Sequence, residues 1–369
     1  MSLTSLPAQL PPARGARLQQ FLDLGWPHRK LEAWRHTDLA PLAKRAWHWT
    51  TLPAQDDAQK VDARDHFALL NSAYATASTC VTVAITCGAS RRWLVKILAT
   101  APAAGEQTPG RVAADAQVHT QGRHAVAAHA TDHQVLRREG TVDGLRSHWQ
   151  HLQLDHHSQS HLVWVSDPQG SGHDLSRLSI TVAEGATLAL VVVHLGRAIT
   201  RLELDIHLQG PHSAAHLHAL SLPAAGGFDL PVTVHHQAPH AVSRLQLRAI
   251  GLAGTRSSIN GRIKVYEGAI KTDSEQHMAS LLLSPKAEIN AKPDLEIYND
   301  DVKCAHGASF GQLDEDALFY LRARGLNDAT ARALLTQGFA EQVLREIPDE
   351  ALRTSLTNTL LQRLRDAEP

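Results

Sequence analysis

Apolar positions change their period twice along the chain. Before Pro53 they recur at helical intervals, at Leu18, Phe21, Leu22 and Leu24 and then at Leu31 and Trp34, among Pro7, Pro11, Pro12, Pro27 and Pro41. This pattern predicts one or two short helices. Residues 53–65 are polar and read as a connection, and Phe67 to Tyr74 predicts another short helix. From Val81 the period is two. Val81, Val83 and Ile85 alternate with Thr82, Ala84 and Thr86, and Trp93, Val95 and Ile97 form a second such run; alternation of this kind marks a strand with one buried face. The stretch from Ala101 to Glu139 is rich in Ala, Gly, Gln and His and assigns no element.

Short strand-like runs then follow one another: His161–Val165, Leu178–Val182, Thr187–Val193, Leu202–Leu208, Ala215–Leu222, Val242–Ala249, Ser258–Val265, Ala279–Leu283 and Ala287–Asn290. Gly185, Gly210, Gly254, Gly261 and Gly268 punctuate them, and no long helical pattern intervenes. A doubly wound sheet would alternate strands with helices, so a sandwich, a barrel or a β-helix remains. Few of the connections resemble tight hairpin turns, which favours a coiled solenoid without excluding the others. After Gly311 the period returns to 3.6. Leu313–Arg324 closes at Gly325, and Asn327 or Asp328 caps a helix carrying Leu334, Leu335, Phe339, Val343 and Leu344. Pro348 breaks that helix, and Leu352, Leu356, Leu360 and Leu364 line a last one. The expected division is a helical region over 1–78, a β-rich core over 79–311 and a helical domain over 312–369.

Charge narrows the functional classes. With 36 basic and 37 acidic residues among 369 the chain is nearly neutral, so nothing favours a polyanion and nucleic acid is not an expected partner. The longest apolar run, Leu188 to Val193, is too short to cross a bilayer, and residues 1–15 carry no secretory pattern, so a cytoplasmic protein with no membrane contact is expected. Three cysteines, Cys80, Cys87 and Cys304, cannot make a disulfide framework or a four-thiolate site. Histidine is over-represented, with 24 residues against 17 of Phe, Trp and Tyr together, which ties charge to pH.

Several side chains are candidates for chemistry. Cys304 and His306 lie two residues apart and project to one side of an extended segment, and thiolate with imidazole suits iron, copper or zinc. Two ligands do not close a shell, so by residue type alone the pair reads as packing. Asp300 and Asp301 read as turn residues rather than an acid–base pair. The clusters His148, His151, His156 and His157, then His216 with His218, and His235 with His236, show no carboxylate or cysteine at ligand spacing and read mostly as solvated strand faces. Cys80 and Cys87 read as core positions. There is no GxxxxGK[ST], no GxGxxG after a strand and no HExxH, which removes the common nucleotide-binding and zinc-hydrolase signals. A β-helical enzyme on polysaccharide is the competing class; it lacks a carboxylate pair outside turns and aromatics for sugar stacking.

Specific strings add a resemblance. NAKPDLEIYNDDVKCAHGASFGQLDEDALFYLRARG, Asn290 to Gly325, strongly resembles the C-terminal signature of the SufD family of iron-sulfur cluster assembly. LEAWRHTDL at Leu31–Leu39, FALLNSAY at Phe67–Tyr74, HHQAPHAVSRLQLR, INGRIKVYEGAIKTDSEQ and LLLSPKAEI follow in that family's order. The resemblance implies a mainly β protein, a right-handed parallel β-helix flanked by N- and C-terminal helical regions. It implies a non-catalytic scaffold that pairs with the paralogue SufB and docks the ATPase SufC through its C-terminal helices, in the region of Leu334, Phe339, Val343 and Leu356. It also implies His306, with Cys304 second, as an interface ligand completed by SufB. No cofactor is expected to stay on the chain alone; iron or an iron-sulfur cluster would be held transiently in the complex, with a flavin there left open, as is a homodimer acting alone in iron handling. PAAGGFDLP between Leu222 and Val232 replaces an extra β-helical portion usual in the family, so a solenoid a few coils short is expected.

Overall fold

The computed structural model describes residues 116–367 continuously. Before them it describes residues 12–37, 39 and 42, with strand backbone at 48–49, 76–77, 81–86 and 92–97. The helix expected at Phe67–Tyr74 and the packing of Cys80 and Cys87 lie outside the described residues. Helix α1 spans Pro12–Leu24 and a single 3-10 turn follows at Glu32–Trp34. The strands are β1 (His48–Trp49), β2 (Thr76–Ala77), β3 (Val81–Thr86), β4 (Arg92–Ile97), β5 (Ala116–Val126), β6 (Thr131–Arg138), β7 (Leu145–Leu154), β8 (Gln159–Ser166), β9 (His173–Val182), β10 (Thr187–His194), β11 (Ile199–Leu208), β12 (Ala214–Ser221), β13 (Gly227–His236), β14 (Val242–Gly251), β15 (Arg256–Val265), β16 (Asp273–Leu282), β17 (Glu288–Ile297) and β18 (Lys303–Gly311). Helices α2 (Glu315–Ala323), α3 (Asp328–Leu344) and α4 (Glu350–Asp366) end the chain.

From β5 onward, odd-numbered strands form one parallel sheet and even-numbered strands the other, so each consecutive pair makes one coil of a seven-coil solenoid. PAAGGFDLP belongs to it: residues 222–226 turn the chain and β13 runs in register with β11 and β15. The repeat is 28 residues where Leu145 faces His173 and Gln159 faces Thr187, and 32 where Arg256 faces Glu288. In-register stacking places like on like. Ile180, Ile206 and Val234 form one interior column, and Leu178, Leu204 and Val232 the next, all buried between the sheets. Each such side chain contributes roughly 1.5–3 kcal/mol of transfer free energy.

The second sheet is covered on its outer face too. Leu188, Leu190 and Val192 of β10 point between the sheets, while Val191 and Val193 join Ala340, Val343, Leu344, Leu356, Leu360 and Leu364 of α3 and α4. Burial on both faces explains the uninterrupted apolar run Leu188–Val193. The helices start where side chains cap them: Asp314 accepts from the amides of Asp316 and Ala317, Asn327 from Thr330, and Asp349 from Leu352. On the first sheet the N-terminal segment docks instead. The Arg201 guanidinium lies 4.4 Å over buried Trp34, Arg201 also pairs with Asp229, and Thr37 Oγ1 donates to Asp229 Oδ2 at 2.6 Å.

The histidine surplus is largely architectural. At the first turn of successive coils His129, His157, Gly185, His212, His240 and Lys271 all adopt φ between 55° and 62°. The left-handed conformation is costly for a residue with a Cβ. Here each of these amides donates to a carbonyl of the next turn, at Pro211 from Gly185, at Pro239 from His212 and at Ile270 from His240, for example, over 2.9–3.1 Å. The rings stack as the turns do, His129 on His157 at 5.2 Å and His212 on His240 at 4.8 Å. The expectation that the clustered histidines line solvated faces therefore fails at several positions. His148 and His236 are fully buried, as is His194.

Candidate functional site

The stack ends at β17 and β18, which among the described residues pair on one side only, with β15 and β16. Their outer backbone groups form a free edge, the natural place for another chain to add strands. Exposed apolar side chains occur on this last coil, at Ile297, Tyr298 and Phe310, and on α2, the helix that follows it in the chain, at Phe319 and Tyr320. Isolated exposed apolar residues are ordinary; Tyr298 and Phe310 on a coil with a free strand edge make this end a candidate contact surface.

Cys304 and His306 sit on β18, in register with Ser274 and Gln276 of β16. Ser274 and Gln276 are buried between the sheets, so register puts both candidates on the core-facing side of the last strand. The two differ in surroundings. Cys304 packs beside Ile263, Val265 and Ala269, whereas His306 is exposed because no further coil covers it. Burial, reinforced by the Asp273 carboxylate, pushes the Cys304 thiol above its ordinary pKa. At neutral pH it is a protonated, weakly nucleophilic thiol that must lose a proton to bind a metal. His306 is the more accessible donor.

Asp301 behaves as a turn residue. Its carboxylate accepts from Lys271 Nζ at 2.7 Å, its carbonyl accepts from the Lys271 amide, and its own amide donates to Asn299 Oδ1. The four positions on the C-terminal helices separate as well. Val343 and Leu356 lie inside the helix–sheet interface, Phe339 packs at its margin under the Arg248 guanidinium at 4.6 Å, and Leu334 is 48% exposed. Only Leu334 and the rim of Phe339 face outward; Val343 and Leu356 hold the surface in place.

One cluster was not legible in the histidine spacing. Asp205 and His207 on β11 and His235 on β13 bring three ligand atoms within 4.8 Å of one another, which corrects the reading that the histidines lack a carboxylate companion. The companion is reached across the sheet, His207 facing His235 in register. A 28-residue repeat in the sequence is the signal that finds it.

Residues 112–339 match the SufBD core domain of the SUF system of FeS cluster assembly. The chain is similar to the iron-sulfur cluster assembly protein SufD of Escherichia coli, 34% identical over 193 residues that make up 52% of this chain and 46% of that protein. It is also similar to an iron-sulfur cluster assembly SufBD family protein of Synechocystis, 33% identical over 195 residues, 52% of this chain and 43% of the relative. The chloroplastic protein ABCI7 of Arabidopsis thaliana is 33% identical over 171 residues, 46% of this chain and 36% of the relative. The chain thus spans less than half the length of these curated relatives. No helix among the described residues is long and apolar enough to cross a membrane. A parallel solenoid whose core-domain match covers more than half of the residues places the chain in the SufBD family of iron-sulfur cluster assembly proteins.

Proposed function

We propose that this chain is a SufD-like, non-catalytic scaffold subunit of an iron-sulfur cluster assembly complex. In this reading a SufB-like paralogue adds to the free edge of β17 and β18, and a SufC-like ATPase engages the C-terminal helical region, 312–369, around Leu334. His306 then serves as a ligand for iron or a nascent cluster at the paralogue interface, with Cys304 as its supporting neighbour. The single observation that carries the reading is the position of His306: an exposed imidazole on the core-facing side of a terminal strand with one free edge, where an added coil would cover it. A lone imidazole with one protonated thiol is an incomplete donor set, so the remaining ligands have to come from the partner. Iron and sulfide are cargo here, and the chain's contribution is a donor atom and a docking edge.

The test is co-expression with the SufB-like and SufC-like partners. His306→Ala is expected to leave the complex assembled, because one exposed ring adds little to an interface of strands, and to impair cluster formation in cells without another assembly route. Leu334→Asp is expected to weaken ATPase capture while the chain stays folded. Recovery of the chain as a homodimer that ignores both partners, or full cluster formation by His306→Ala, overturns the reading.

A further inference from the structure

The outer face of the first sheet carries a second donor set, in a different sheet from Cys304 and His306. Asp205 and His207 are two residues apart on β11 and share that face. The in-register neighbour of His207 on β13 is His235. The two imidazoles stack at 4.4 Å between centroids with 2° between their planes. Both turn the same nitrogen to the same carboxylate: His207 Nε2 lies 3.2 Å from Asp205 Oδ2 and His235 Nε2 lies 3.0 Å from Asp205 Oδ1. The other nitrogen of His235, Nδ1, lies 3.1 Å from the Tyr266 hydroxyl. All three side chains reach solvent, with 28%, 17% and 38% of the His207, His235 and Asp205 side chains exposed.

Two imidazoles and one carboxylate suit divalent ions of borderline softness. Such an ion sits about 2.0–2.2 Å from nitrogen and oxygen donors, which in tetrahedral geometry places the donors about 3.3 Å apart. The two nitrogen–oxygen separations, 3.2 and 3.0 Å, are close to that length, and because an ion lies in the plane of each imidazole it binds, one ring has to tilt out of the parallel stack about its Cβ–Cγ bond for both nitrogens to reach it. Tyr266 supplies the support that metal-binding histidines ordinarily have: a partner at Nδ1 fixes the ring and leaves the lone pair on Nε2, facing Asp205. The neighbouring lysine is engaged elsewhere. Lys264, beside His235 in the register, reaches to Glu296 at 3.2 Å and lies 5.3 Å over the Tyr266 ring.

We propose that Asp205, His207 and His235 form a surface site for one divalent cation such as iron(II), cobalt(II), nickel(II) or zinc, with coordination positions left open to solvent or to an acceptor. Three donors on two rigid strands, reachable from water, hold an ion reversibly and present it. The site is complete within one chain, so it acts without the partners that Cys304 and His306 require.

The probe is cobalt(II) alone, added to the full chain after chelator treatment and followed by its visible ligand-field absorption. One equivalent is expected to give the intense spectrum of a low-coordinate nitrogen and oxygen site. Asp205→Asn, His207→Gln and His235→Gln should each abolish it. Tyr266→Phe should weaken binding about 10- to 100-fold, the usual effect of losing such a supporting partner. Cys304→Ala and His306→Ala should leave the spectrum unchanged, which separates this site from the interface reading. Should a ligand variant fail to fold by circular dichroism, carbethoxylation of the unaltered chain with and without zinc decides, since His207 and His235 should be protected by the metal. A spectrum that survives in the folded ligand variants, or equal modification of both histidines with and without zinc, overturns the proposal.

Discussion

Unfolding at mildly acidic pH should take up two to three protons per chain. Burial holds the His148 and His194 imidazoles neutral, with pKa values lowered to about 3, and His236 to about 4. His148 is also pushed down by the neighbouring Arg138 guanidinium. Unfolded, each returns to about 6.5. A base whose folded pKa is depressed favours the folded state fully above pH 6.5, and that stability is lost as pH falls from 6.5 towards 3 to 4. At pH 5 each unfolded ring gains about 2 kcal/mol from protonation, at about 1.4 kcal/mol per pH unit, so the three together remove about 6 kcal/mol. That is comparable to the whole stability of many domains. His207 and Asp167, whose proton affinities are raised on folding, subtract from the total, while His36, His216 and His218, whose proton affinities burial lowers, add to it. The assay is proton uptake in a pH-stat when guanidinium unfolds the chain at pH 5. His194→Phe keeps a ring against Phe228, on which His194 stacks at 4.3 Å, and should reduce the uptake by one proton whatever it does to absolute stability. Uptake below one proton, or uptake unchanged in His194→Phe, would refute the argument that these rings are buried uncharged.

Two further predictions concern the scaffold. Gly185→Ala adds a Cβ 2.2 Å from His157 Nδ1 at a φ of 62°, so it should destabilise by more than 1 kcal/mol in urea unfolding; in a His157→Ala background only the backbone strain should remain, and a double-mutant cycle with no coupling would contradict the stacked-turn account. Asp174→Asn should cost about 3–5 kcal/mol, because Arg146, which donates to Asp174 from Nη2 at 2.6 Å, and Arg138 are both buried and would lose their counter-charge; an unchanged urea midpoint would mean that water already serves those guanidinium groups.

What the sequence disclosed follows from how each element buries its side chains. Strands with one polar and one apolar face, such as β9 and β11, alternate visibly, and the leucines of α4 recur at four-residue spacing. β13 escaped because Pro231 sits in mid-strand, where a proline ordinarily argues against a central strand. The ladder accommodates it: pairing with β11 lapses opposite Leu202 and Glu203 and resumes at Leu204. β5 to β7 escaped because polar and small residues dilute their apolar positions, including a buried Arg146, Ser147 and His148 that pattern reading places outside. The pair Cys304 and His306 was visible because its geometry is local to one strand. Asp205, His207 and His235 were not, since the third ligand arrives from the next coil.

The repeat grows from 28 residues to 32 in two ways: the even-numbered strand lengthens from eight residues in β8 to ten in β16, which keeps its alternation, and the other added residues lie in the bends, as in the seven-residue bend between β15 and β16. The solenoid is therefore tolerant of growth in two quanta. Single residues can enter a corner without disturbing any column of stacked side chains, and a whole coil can be gained or lost with every surviving column still meeting its own kind. A change of one residue inside a strand has no such refuge, because it would turn an interior column inside out along one rung. Lineages that lengthen or shorten this scaffold are thus channelled towards corners and complete rungs, and its two ends can diverge in partner choice while the middle stays fixed.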